Sequence, residues 1–453
     1  MSSDYLDQLS QFVIDTRLED LDGSTVTAAK AVVLDTIGAI LAGSRLPENA
    51  NLARLAQGMS RAGPATLFGR PGKVQPPFAA LVNATAGVSL EMDEGNRLGG
   101  GHPSIHVTPG AIGVAEEQGA GGRALLESVI VGYEVTSRIG TGAKTRAAIH
   151  SHGTWGTIGA AAATARLMGF DAAETRQALN LSMSMSPANT WTPCLEGATI
   201  RNLYPGRSGF QGIMAAQLVR CGFTAVQDGP ADLYRDVLGE GFDPAAVVDG
   251  LGRQGASRIQ QNYFKFHACC FYNHPALDAV QALLRREKFA PSDVEHIRVT
   301  APPMALTMAN PEPGNMLSAK FSIPYAVAAA LVHGATDVTA FYPEKLADAQ
   351  ARSLALRVEV ASDPEMNLRN YDRPASGVTV VLKDGRTLRE SVTAHHGDAR
   401  NPASRDELMG KFAFLAQEAL GQERVRQVIA TVERLDALED IGELTRHLGA
   451  SDC

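Results

Sequence analysis

The chain has 453 residues, 45% hydrophobic and 20% charged, and a formal net charge of −8. That length implies two or three domains and a sizeable core, while a negative balance without a basic tail speaks against a nucleic-acid partner, whose phosphates need clustered Lys and Arg. The opening stretch, MSSDYLDQLSQFVIDTRLEDL, carries acids early and lacks an uninterrupted apolar run, so neither a targeting peptide nor a membrane span is expected and the chain reads as cytoplasmic.

Apolar residues at helical spacing predict helices over 5–20, 25–43 (opening after Ser24) and about 48–62. The next segment, GPATLFGRPGKVQPP, has the glycines and lysine of a phosphate loop at the wrong spacing, and Pro71 marks it as a turn. A small-residue helix from Pro77 to Leu90 delivers the chain into SLEMDEGNRLGGGHPSIH, residues 89–106. Here Glu91, Asp93 and Glu94 precede His102 and His106, and the run Gly99–Gly101 lets the backbone fold acids and imidazoles into one volume. Carboxylates just past a helix C-terminus meet the negative end of its dipole, so Glu91 and Asp93 are expected to hold their protons more tightly than usual.

Two further helices, TPGAIGVAEEQG and RALLESVIVGYEVTSRIGTG, lead to HSHGTWGTIG at 150–159. His150, His152 and Thr154 stand before a helix whose free N–H groups favour an anion. With no third ligand in view, carboxylate binding or proton transfer is the expected role there rather than metal. Asp171 is a candidate N-cap for the following helix. Arg201 and Arg207 flank a Pro-Gly turn ahead of a helix at about 208–221, where two guanidinium groups can meet one anion.

The GLGRQGAS segment spells GxGxxG without a surrounding βαβ unit and reads as a loop. Lys265, His267, Cys269, Cys270, Tyr272 and His274 then crowd one short window before a helix opening near Pro275. Cys194, Cys221, Cys269, Cys270 and Cys453 form no CxxC pair, so reduced thiols and no metal cluster are expected. Beyond this point VEHIRVTAP, ALRVEVASD, GVTVVLKDG and LRESVTAHH read as four strands, with LKDGRTL as a hairpin turn. SAKFSIPYAVAAALVHG and PEKLADAQARSLA read as helices. The expected fold is mainly α with an α+β second domain carrying an antiparallel sheet. The division is an all-helical domain over 1–270, an α+β lid over 271–402, and helices over 403–453 that pack back on the first.

These segments resemble the MmgE/PrpD family. The likeness rests on LDTIGAILAGS at 34–44, the acidic–glycine–HPS stretch at 91–104, H-x-x-G-T-x-G-x-x-G-A-A-A at 150–162, a basic residue and P-G at 201–206, K-(x)8-H at 265–274, and FSIPYAVAAAL at 321–331. The resemblance implies a homodimeric enzyme without metal or other cofactor, acting on a small di- or tricarboxylate between the two domains. It puts the family's acids on Glu91 and Asp93, its histidines on His102 and His150, and its lysine on Lys265. Arg201, Ser104, His152, Thr154, His274 and Tyr325 are the expected substrate-binding positions. Where many relatives show D-x-D-D-T, this chain has Glu91-Met92-Asp93-Glu94-Gly95. Arg201 replaces a lysine, and a guanidinium clamps carboxylates but does not give up protons at neutral pH.

Reactions of this family make or quench a carbanion beside a carboxylate. Histidine supplies a base of suitable strength and fixed cations hold the charge that builds. His102 and His150 are therefore the expected acid/base pair, Lys265 and Arg201 the clamp, and Asp93 or Glu91 the groups that orient a histidine. A hydro-lyase is the first expectation, with decarboxylation and epimerisation as alternatives and a non-catalytic organic-acid binder as the reading of another class.

Overall fold

The computed structural model describes residues 4–367 and 371–450. Its first half is helical: α1 (Tyr5–Asp15), α2 (Gly23–Gly43), α3 (Pro47–Met59), α4 (Pro76–Val88), α5 (Pro103–Gln118), α6 (Gly122–Gly142), α7 (Gly156–Leu167), α8 (Ala172–Ser184) and α9 (Leu203–Arg220). Helix α1 stops at Asp15, short of the predicted 20, and a 3-10 turn at Leu18–Asp20 follows. Asp22 rather than Ser24 caps α2, because its carboxylate accepts the Thr25 amide at 2.7 Å. Helix α8 opens on Asp171 as expected, with a reciprocal capping box to Glu174.

Helix α2 is the centre of the helical half. By length and composition it is apolar enough to cross a membrane, yet 67% of that stretch is buried inside the protein. Helices α4 and α5 cover it together with α12 (Arg405–Glu433), which follows α10 (His274–Arg286) and α11 (Ile323–His333) in the chain. Phe412, Ala416, Val425, Val428 and Val432 of α12 share one apolar core with Val33, Ile37 and Ile40 of α2.

The α+β half holds β1 (Val294–Ala301), β2 (Val358–Ser362), β3 (Ser376–Leu382) and β4 (Thr387–Val392) in the order β4-β3-β1-β2. The three strands β4, β3 and β1 are antiparallel as expected, and β3 and β4 form the predicted hairpin around Gly385. The fourth differs, since β2 lies parallel to β1, making the sheet mixed. Between those two strands the chain passes through α11, long enough for the crossover a parallel pair requires. Alternating burial along β3 turns one face into the core, where α10 and α11 contribute Leu277, Val280, Val327 and Leu331.

A two-stranded ladder pairs Gly95 with Tyr263 and Asn96 with Asn262, tying the loop after α4 to the segment that carries Lys265. A Cβ at Gly95 would lie 2.3 Å from the Tyr263 hydroxyl and ring. Any side chain at position 95 would meet that ring.

Lys411 of α12 fastens the same loop from behind. Its ammonium reaches the buried Asp35 carboxylate of α2 at 2.5 Å and the Met92 carbonyl at 2.9 Å. Removing one member of a buried ion pair leaves an uncompensated charge. Lys411→Met is therefore expected to lower the unfolding free energy by about 3–5 kcal/mol in urea melts, and a loss below about 1 kcal/mol would contradict the role given to this pair.

Candidate active site

Helix α4 ends at Val88, and two residues past its Ser89 cap the chain turns through Glu91, whose φ of 54° is the one positive value among described non-glycine residues. Glycine or asparagine is preferred in that left-handed conformation. A glutamate there costs on the order of 1 kcal/mol and is directed inward, leaving 1% of the residue exposed. One of its oxygens pairs with the Arg201 guanidinium. The other accepts from Lys265 Nζ at 2.9 Å. Lys265 also approaches Asp93 Oδ1 at 3.5 Å, while Asp93 Oδ2 lies 3.2 Å from His102 Nδ1. Arg201, Glu91, Lys265 and Asp93 thus form one continuous buried chain of alternating charge, with the His102 ring at its end.

This arrangement corrects the expectation for the acids. Burial pushes Glu91 and Asp93 up, but Arg201 and Lys265 outweigh it at Glu91, Lys265 and His102 outweigh it at Asp93, and both carboxylates are held below their ordinary range. The dipole of α4 is a smaller effect than two cations in contact. Glu94 is the acid whose proton is held tightly. Burial pushes it up to about 8, against hydrogen bonds from the Ser104 amide and the Tyr133 hydroxyl, with Asp35 and Asp93 adding repulsion.

His102 caps α5 and lines the cleft between the two halves, a cavity of about 360 Å³ whose walls include Arg97, Trp191, Tyr263, Cys270 and Phe271. Its Nδ1 lies 2.7 Å from the Glu94 carbonyl, an acceptor only, so Nδ1 carries a hydrogen. His152 stacks on this ring at 4.3 Å between centroids, with His106 and His150 against its other contacts. His106 is locked between the His102 carbonyl and the Gly153 amide, and burial pushes it down to about 4. His150 and His152 are also driven well below the ordinary histidine value, first by burial and then by Arg201 and the other imidazoles. They stay neutral. Among the described residues Arg201 Nε, His150 Nε2 and both ring nitrogens of His152 are buried without a hydrogen-bond partner, a concentration that buried polar groups show where something else satisfies them.

Four of the predicted binding residues are engaged in hydrogen bonds within the protein. The Ser104 hydroxyl bonds to Thr36 and Thr108 inside the helix packing. Thr154 donates to the His150 carbonyl at 2.8 Å and holds the loop. His274 lies in a separate cluster with His267 and His395, its Nε2 on the Cys269 carbonyl. The Tyr325 hydroxyl donates to the Ala340 carbonyl, and the residue lines a different cavity with Pro311 and Arg352. Arg207, within the first turns of α9, reaches Asn189 instead of joining Arg201, which sits in the 3-10 turn Thr199–Asn202 ahead of that helix.

Asp93, His102 and His152 offer ligand atoms within 4.8 Å of one another. The charge balance argues against a metal there, since Lys265 and Arg201 already neutralise these carboxylates and would repel a dication. Cys194, Cys221, Cys269 and Cys270 are free thiols. Cys453 lies outside the described residues. Three residues of the site were not singled out from sequence. Trp191 packs its ring 4.0 Å from His150, Tyr263 stands edge-on to His102, and Lys320 is wholly buried behind the carboxylates. Aromatic residues and a lone lysine inside a helix carry no spacing signal that separates them from core or surface.

A helical body joined to an α+β unit, with a cluster of acids, cations and imidazoles at their junction, is the frame of an enzyme. Residues 7–236 match the MmgE/PrpD N-terminal domain and residues 267–437 the MmgE/PrpD C-terminal domain, and the chain belongs to the MmgE/PrpD family of enzymes. It is 26% identical over 451 residues to the cis-aconitate decarboxylase of Mus musculus, across 95% of this chain and 91% of that one. It is 27% identical over 445 residues to the cis-aconitate decarboxylase of Homo sapiens, covering 94% and 90%. The cis-aconitate decarboxylase-like protein oryM of Aspergillus oryzae is 24% identical over 469 residues, covering 96% and 95%.

Glu94 provides a pH test of the site's electrostatics. Its folded value of about 8 lies above the ordinary 4.5, so the stability tied to its proton is complete below the lower value and is lost as pH rises through the higher one. Glu94→Gln keeps the shape and cannot ionise. Its melting temperature relative to the parent is expected to rise between about pH 5 and pH 9, and a constant difference would contradict a protonated Glu94.

Proposed function

We propose that the protein is a metal-independent lyase that removes CO2 from a small di- or tricarboxylate through a carbanion next to a retained carboxylate. The observation that carries this reading is the set of unpartnered buried atoms on Arg201, His150 and His152, beside Lys265 and the cleft-lining His102. A carboxylate of the substrate satisfies the Arg201 Nε donor, and the flanking cations stabilise charge as it develops. The names of the relatives favour loss of CO2. Loss of water, first expected from the sequence, would use the same cations but run the proton the other way, a base taking it from the carbon while the hydroxyl leaves as water.

In the decarboxylation, the bond to the departing carboxyl group breaks and its electron pair moves onto the carbon conjugated with the retained carboxylate. Arg201 and Lys265 hold that carboxylate. The carbon then takes a proton from the imidazolium of His102, whose positive form Asp93 stabilises through Nδ1. His150, uncharged and beyond His152, is the second group able to relay that proton. Arg201 serves as clamp and not as acid.

Incubation with a panel of di- and tricarboxylates including cis-aconitate, in deuterated water and followed by NMR, is expected to show CO2 release with one solvent deuterium at the carbon next to the retained carboxylate. Water release or inversion at an α-carbon without CO2 would replace this reaction by a dehydratase or an epimerase. Ligand-induced stabilisation without any turnover would make the protein a binder. His102→Ala is expected to lower turnover by at least about 100-fold with the melting profile retained, and Lys265→Ala to lower turnover as much while also lowering the melting temperature, because it leaves Glu91 and Asp93 short of a buried partner. Near-parental turnover in either variant would remove that residue from the mechanism.

A further inference from the structure

Lys320 sits at the end of a short helix, Met316–Lys320, in the α+β half, and its side chain is fully buried. Its Nζ donates to the Ser89 carbonyl at 3.1 Å. It enters no ion pair among the described residues, unlike the other fully buried lysine, Lys265, which has two carboxylates. A buried ammonium with one carbonyl for a partner is costly, and the ordinary remedy is loss of the proton.

The surroundings reinforce this. Facing Lys320 from the loop after α4 is Glu91, which favours its charge, but Glu91 is already shared by Arg201 and Lys265. From the segment before α10 come Lys265 and Cys269, and from the turn ahead of α9 comes Arg201. Burial is the leading cause, the two cations add repulsion, and the amine is pushed down to about 7. The backbone around it is fixed, since its carbonyl accepts from the Cys270 amide at 2.9 Å and from the Asn273 side chain. The side chain of the next residue, Phe321, lies under the Arg201 guanidinium, 5.2 Å from the ring centre. Lys320 is therefore fixed in place one residue from the ring that packs on the Arg201 clamp.

The protein's own charges are balanced around this amine, with Arg201 and Lys265 set against Glu91 and Asp93. An incoming polycarboxylate adds two or three negative charges and tips the balance toward a further cation. Resting on the carboxylate-binding role of Arg201 and Lys265, we propose that Lys320 is a specificity residue of this site, which takes up a proton when a polyanionic substrate binds and so becomes its third cation. The balance is simple: a buffer acid releases the proton, the Nζ lone pair forms the new N–H bond, and the complex gains one positive charge. Such a site favours tricarboxylates over dicarboxylates, because the third substrate charge is matched only after the proton arrives.

The test is titration calorimetry of the whole protein at about pH 8 with propane-1,2,3-tricarboxylate and with glutarate, which lacks the central carboxylate. Each is run in phosphate and in Tris, whose ionisation enthalpies differ. For the tricarboxylate the buffer dependence is expected to report uptake of about one proton. Lys320→Arg, charged at all times, is expected to bind with no uptake. Lys320→Met, checked for its fold by melting, is expected to lose uptake and about 10-fold in tricarboxylate affinity, with a smaller loss for glutarate. Tricarboxylate binding by the parent without buffer dependence overturns the proposal whatever the variants do. Uptake that persists in Lys320→Arg also overturns it, by moving the proton to a histidine. Absence of binding heat with both acids overturns the carboxylate-binding role itself, and Lys320's with it.

Discussion

Everything at the junction of the two halves depends on one strained glutamate. Glu91 occupies a left-handed backbone position that suits glycine, and from there its carboxylate bridges Arg201 and Lys265. Three buried charges so placed are tolerable only together, because each one alone would cost several kcal/mol. The bridge therefore holds three distant parts of the chain in register: the loop after α4, the turn before α9 and the segment before α10. Asp93 extends the chain of charge to His102, and the carbonyl of Glu94 sets which nitrogen of that ring keeps its proton.

The supporting structure can be understood as what this cluster needs. The Gly95–Tyr263 ladder brings the acids to Lys265, and the absence of a side chain at Gly95 leaves room for the tyrosine ring. Lys411 reaches from α12 to the carbonyl of Met92, between the two acids, and so ties the loop to the helical core. The imidazoles of His106, His150 and His152 fill the other side as neutral rings, packed where further positive charge would be repelled. Together they give a site with a rigid charged floor and a histidine facing the cleft.

Much of this was legible in the sequence. The small-residue helices, the strand alternation and the LKDGRTL turn define the fold class, since the periodicities of helix and strand differ and glycine marks the hairpin. The histidine and acid motifs locate Glu91, Asp93, His102, His150, Arg201 and Lys265, all of which belong to or adjoin the cluster. What sequence did not carry is direction. Ser104 lies two residues from His102, but at the start of α5 its hydroxyl faces Thr36. His274 and Tyr325 lie in matching motifs yet serve the packing of the α+β half. The proton-affinity shifts on Glu91 and Asp93 run opposite to what helix dipole and chain position suggest, because the contacting cations lie more than 100 residues away in sequence. The parallel strand β2 escaped for a similar reason, as pairing direction is a long-range property.

The account stands or falls on where a carboxylate ligand sits. A crystal structure with propane-1,2,3-tricarboxylate bound is the most direct measurement. It should show one carboxylate within about 3 Å of Arg201 and Lys265 and the ligand backbone against His102. Density for the ligand elsewhere, with the Arg201–Glu91–Lys265 bridge untouched and no contact to His102, would contradict it.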